Sequence, residues 1–124
     1  MNSPSQRVLI VDDSPYACAL LGKMMEDHGY QVAGSAGSVA DAVKLFGELK
    51  PDFVTMDLVM PDGGGVEAIK AFYEIDPKAR IIVVSGVAGG IGESQVAAEL
   101  GVSTFVQKPI RWPDLERAIS QVSK

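Results

Sequence analysis

The stretch Val8-Leu9-Ile10-Val11-Asp12-Asp13-Ser14 decides how the chain is read. An apolar run without a polar break suits a strand covered on both faces, whereas a half-exposed strand alternates. The run stops abruptly at two carboxylates. Phe53-Val54 and Ile81-Ile82-Val83-Val84 are further apolar runs, in strands that end at the polar residues Asp57 and Ser85 respectively. Working outward, short strands are predicted at Arg7 to Val11, Gln31 to Ala36, Phe53 to Met56, Ile81 to Val84 and Thr104 to Gln107. Helical patterns fill the intervals near Pro15 to His28, Val39 to Leu49, Gly65 to Ile75, Glu93 to Leu100 and Pro113 to Val122. The order is βα repeated five times, which predicts an α/β fold with a doubly wound, five-stranded parallel sheet. Boundary residues agree: Ser38 followed by Asp41 can cap the second helix, and Pro113 fits a first helical turn. Gly29 and Gly101 can end helices in left-handed turns, while Pro51 and Pro77 close the second and third.

At 124 residues the chain fits one domain, and a single domain spanning residues 1–124 with no attached output domain is expected. Its apolar runs are too short to span a bilayer, and the polar start at Asn2 to Gln6 is unlike a signal peptide, so a cytoplasmic protein is expected. A net charge of −5 without a Lys/Arg cluster argues against direct nucleic-acid binding. The single cysteine, Cys18, sits among helical apolar residues and is assigned no function.

In open parallel α/β sheets ligands bind just beyond the carboxyl ends of the strands. Those positions hold Asp12, Asp13, Asp57, Ser85 and Lys108. Any one of them can be an ordinary polar strand end meeting solvent; together they make a reactive set. Gathered carboxylates repel unless a cation joins them, and hard oxygen ligands suit Mg²⁺. A carboxylate beside that metal can attack a phosphoryl group while Lys108 and the Ser85 hydroxyl neutralise its oxygens. Asp57 is the central candidate.

These motifs, with Asp57-Leu58-Val59-Met60-Pro61-Asp62, Val83-Val84-Ser85-Gly86 and Phe105-Val106-Gln107-Lys108-Pro109, resemble the receiver domains of response regulators over essentially the whole chain. The resemblance implies a flavodoxin-like, CheY-like fold with strand order 2-1-3-4-5. It further implies that Asp57 accepts a phosphoryl group from a histidine kinase or histidine phosphotransfer protein. Mg²⁺ would be bound by Asp13, Asp57 and the Val59 backbone carbonyl, with Asp12 holding a metal-bound water. Ser85 and Lys108 would contact the phosphoryl oxygens, Ser85 and Phe105 would act as switch residues, and a cis bond before Pro109 would aim Lys108 inward. The output would be a changed face around the predicted helix at 93–100, the strand at 104–107 and the last helix, read by a downstream protein. The expected role is thus a signalling switch that assists its own phosphorylation and dephosphorylation, in chemotaxis-type or similar signalling. A phosphorelay intermediate is the alternative. A Mg²⁺-dependent phosphatase-like enzyme is disfavoured because position 59 is valine rather than a second acid, and an unphosphorylated interaction module because no member of the reactive set is missing.

Some residues keep two readings. Helix 1 carries two apolar stripes, Cys18-Leu21-Met25 and Ala17-Leu20-Met24; the second either docks a helical partner or widens the core face. Trp112 either packs or meets a target. His28 is read as a helix-end residue suited to the negative end of helix 1. Phe105 stands where many relatives carry tyrosine, and Gly86, Gly89, Gly90 and Gly92 make the segment after Ser85 costly to order.

Overall fold

The structure, a computed structural model, describes residues 6–58, 64–85, 95 and 98–123. Within them the chain runs β1 (Arg7–Val11), α1 (Pro15–Asp27), β2 (Gln31–Ala36), α2 (Val39–Leu49), β3 (Phe53–Asp57), α3 (Gly65–Ile75), β4 (Ile81–Ser85), β5 (Thr104–Gln107) and α4 (Trp112–Val122). All five strands are parallel, in the order β2-β1-β3-β4-β5. The helix expected over 93–100 falls largely outside the described residues; Ala98 and Glu99 are helical, and Gly101 follows at φ +112°.

Both sheet faces are covered, which is why the strands lack alternation. Leu9, Val11, Val54, Met56 and Val83 pack against Ala42 and Phe46 of α2 and Ala68, Ile69 and Phe72 of α3. On the other face Val8, Ile10, Phe53, Ile82 and Val106 meet Leu21 and Met25 of α1 and Leu115, Ala118 and Ile119 of α4. The stripe of α1 that faces the sheet is therefore the one containing Leu21 and Met25, with Cys18 half-buried beside it. Leu20, on the other stripe, is 53% exposed, and Tyr16 next to it 73%.

Local chemistry sets the ends. Ser14 Oγ accepts from the Ala17 amide and Ser38 Oγ from the Asp41 amide, each satisfying one orphan N–H of a first turn. Gly29 leaves α1 at φ +90°, a conformation glycine adopts without a Cβ penalty. At the end of α2, Lys50 takes the left-handed position (φ 49°), and Arg7 of β1 donates from its guanidinium to the carbonyls of Leu49 (2.7 Å) and Lys50 (3.3 Å). One register irregularity interrupts the sheet: Val8 pairs with Val32 but Leu9 with Gly34, so Ala33 is skipped. The bulge seats Gly34 under α2, where an added Cβ would lie 2.8 Å from Leu49 Cδ1.

Gly65, the first residue of α3, carries a testable requirement. A Cβ there would stand 2.7 Å from the Leu58 carbonyl oxygen and 2.9 Å from its Cα, backbone atoms that cannot step aside. Gly65→Ala is expected to cost about 1–3 kcal/mol by overpacking. Gly47, inside α2 with nothing within 4 Å of its added Cβ, is the contrast: Gly47→Ala should stabilise by about 0.5–1 kcal/mol. Urea midpoints of the two variants should move in opposite directions.

Candidate functional site

β1 and β3 are neighbours at the centre of the sheet, so the residues at their carboxyl ends are brought together by the ladder itself. Asp12 follows β1, its amide still donating to Ala36 of β2 (3.0 Å), and one of its carboxylate oxygens accepts from the Ser14 amide (2.9 Å). β3 runs one residue further than the apolar pattern indicates: Asp57 pairs with Val84, and on the next ladder Ser85 pairs with Gln107. Backbone hydrogen bonding does not stop where the side chains turn polar, so these residues are held with strand rigidity. Asp12 is 8% and Asp57 5% exposed, while Asp13 faces solvent. One carboxylate oxygen from each of the three lies within 4.8 Å of the others.

Lys108 comes from the far side of the sheet, directly after edge strand β5. Its ammonium donates to Asp57 (3.1 Å) and to Asp12 (3.2 Å). The Lys108–Pro109 peptide bond is cis. Burial is the largest single influence on Lys108 and by itself lowers its pKa. The hydrogen bond and charge of Asp57, joined by those of Asp12, outweigh it and hold Lys108 above its ordinary 10.5. Lys108 is therefore a fixed positive charge across the physiological range. Cys18 shows the opposite side of the same field. Burial, then the Asp12 charge, push its thiol up, and its S–H donates to the Asp12 carbonyl (3.4 Å). A thiol held protonated beside carboxylates is a poor nucleophile, in line with assigning it no function.

Among the described residues three carboxylates face one ammonium, which leaves the site net negative. Close carboxylates of this kind favour a bound cation, and an all-oxygen set with one exposed member suits a hard divalent ion such as Mg²⁺ that keeps waters of its own. Asp12, Asp13 and Asp57 are the residues able to hold it. Residues 8–120 match the family model described as the response regulator receiver domain. The chain belongs to the response regulator receiver family. The receiver is 41% identical over 119 residues to the chemotaxis protein CheY of Thermotoga maritima, covering 96% of this chain and 98% of that one. It superposes with a TM-score of 0.86 and 32% identity on a LuxR-family two-component response regulator from an Aurantimonas species, covering 96% and 85% of the two chains. It also resembles, at TM-score 0.85 and 28% identity over 94% of this chain and 88% of that one, a structure of the CheX–CheY complex of Borrelia burgdorferi with BeF₃ and Mg²⁺. The strand order expected from the resemblance is the one observed.

Val59 and the Gly86–Gly92 segment lie outside the described residues. Ser85 closes β4 through its backbone pairing. Phe105, on β5, is 39% exposed and lines a surface groove with Asp114, Arg117 and Gln121 of α4. Trp112 packs: its ring stacks on His28 at 3.7 Å and 10° and meets Tyr30 at 5.9 Å. His28 holds that pose by donating from Nδ1 to the Met24 carbonyl (2.8 Å) at the end of α1. The stack was not visible in the sequence, since 84 positions separate the two rings. The Ser14 cap was legible in principle, as a serine before the Pro15 that opens a helix.

Proposed function

We propose that this receiver is a phosphorylation switch in which Asp57 takes a phosphoryl group, in a Mg²⁺-dependent reaction, from a histidine kinase or histidine phosphotransfer protein. The observation that carries the reading is the single ammonium of Lys108 shared by two nearly buried carboxylates, Asp12 and Asp57, with Asp13 alongside. A rigid carboxylate at a strand end is the nucleophile such a transfer needs, and Lys108 is placed to match charge on phosphoryl oxygens next to it. Asp12, Asp13 and Asp57, with the Val59 carbonyl, would hold Mg²⁺, which when bound supplies charge neutralisation for the transferring group. Asp12 and Asp57 both begin bound to Lys108, so phosphorylation of Asp57 changes what Lys108 holds.

The Ser85 hydroxyl and Phe105 would then carry the change to the surface. Phe105, already part-exposed on β5, moves inward as Ser85 engages the phosphoryl group, and the groove between β5 and α4 alters for a downstream protein. The Borrelia relative, captured with CheX, illustrates a receiver meeting a partner protein. No helix among the described residues is long and apolar enough to cross a membrane, and we place the switch in the cytoplasm, acting on proteins rather than nucleic acid. The metal test uses acetyl phosphate as donor: incorporation should disappear with EDTA and return with excess Mg²⁺. Labelling indifferent to chelation would overturn the metal-dependent step.

A further inference from the structure

Beneath the acidic cluster lies a small, partly open cavity of about 30 Å³. Its lining is mostly aliphatic, including Ile10, Leu21 and Val84, but four polar residues also border it: Asp12, Thr55, Asp57 and Lys108. Thr55 is the odd member. It sits in the middle of β3, 1% exposed, two residues before Asp57 and on the same face of the sheet. Its register neighbours are Ile10 on β1 and Ile82 on β4, so neither adjoining strand offers its hydroxyl a polar side chain. Thr55 Oγ1 is fully buried and has no hydrogen-bond partner among the described residues. A valine would fill the same space without burying a hydroxyl, and buried hydroxyls are as a rule satisfied by protein or by ordered water.

We infer that this cavity is a built water site, one buried water held by the Thr55 hydroxyl and reaching the Asp57 and Lys108 head groups, and that Thr55 is a positioning residue for Asp57. The volume exceeds the roughly 10–15 Å³ one water needs, and the site offers the two to four polar partners that distinguish a wet cavity from a dry one. A water there gives the Asp57 carboxylate a fixed hydrogen-bond partner from below. Of the carboxylate's two oxygens, one is then tethered on the interior side while the outer face stays open to a phosphoryl donor. The positioning role rests on the function proposed above; the water site does not.

The experiment therefore reads the two parts separately, on the full chain. Water-to-protein cross-relaxation by NMR should show a long-lived water contact at the Thr55 methyl in the wild type. In Thr55→Ser the contact should appear at the Ser side chain, and in Thr55→Val, with a native amide spectrum, it should vanish at the Val methyls. Absence of the contact in the wild type, or its persistence in Thr55→Val, would overturn the water site. The second readout is the rate of acetyl phosphate labelling with Mg²⁺, where Thr55→Val should be slower by about fivefold, the effect of one ordinary hydrogen bond, and Thr55→Ser should recover most of it. Equal rates in all three would overturn the positioning role while leaving the water in place. A wild type that takes no phosphoryl group at all would count against the proposed function and the positioning role together, with the cross-relaxation result still standing.

Discussion

Asp57→Asn should take up no phosphoryl group from acetyl phosphate and Mg²⁺, where the wild type gains one, as read by intact mass. On the proposed function, a carboxylate oxygen of Asp57 would form a bond to phosphorus as the bond to the departing acetate oxygen breaks, the negative charge leaving with acetate. An amide in place of the carboxylate is a far weaker nucleophile and removes one of the three carboxylate charges that would hold the proposed metal. The fold should survive the change, because Lys108 retains Asp12 and the remaining cluster is less crowded with negative charge. Unaltered thermal unfolding thus separates loss of chemistry from loss of structure. Equal labelling of the variant would mean another residue is the acceptor, with the exposed Asp13 first to be tested.

The largest expected effect on stability is at Phe72. This ring is fully buried in α3 and lies 4.6 Å from Phe46 of α2, so it ties the two helices on one side of the sheet to each other as well as to the strands. Phe72→Ala removes a large apolar surface and leaves a cavity between neighbours that are themselves rigid, a change that costs about 3–5 kcal/mol. Domains of this size have roughly 5–15 kcal/mol to lose, so the variant should unfold at a much lower urea concentration. Phe105→Ala is the comparison. Its ring is part-exposed, and the loss should stay below about 1.5 kcal/mol. A Phe72→Ala midpoint no lower than that of Phe105→Ala would show that the packing account is wrong.

Much of this architecture was legible because the determining signals are local. Unbroken apolar runs marked β1 and β4, Ser38 and Gly29 marked helix ends, and Asp12, Asp13, Asp57 and Lys108, at or just past strand ends, marked the cluster that the fold brings together. The strand order came instead from resemblance, since periodicity cannot rank strands within a sheet. Other features escaped because they depend on what the fold brings alongside. Nothing near Ala33 announces a bulge, and the closeness of Leu58 to Gly65 exists only once α3 turns back over the end of β3. The hydroxyl of Thr55 looks ordinary in a sequence and becomes notable only between Ile10 and Ile82. Likewise the guanidinium of Arg7 serving the end of α2 joins residues 42 positions apart.

The bond between Lys108 and its two carboxylates also sets an order of events during synthesis. Lys108 lies 96 positions after Asp12 and 51 after Asp57. At translation speeds of about 5–20 residues per second, Asp57 emerges roughly 3–10 s before the cation that completes its surroundings. β1 and β3 can pair in that interval, yet the acidic end they share must wait for β5, which is made well after both. The acidic pocket is thereby finished only once residue 108 has emerged, so a ribosome-bound fragment stopping short of it has Asp57 but not its lysine.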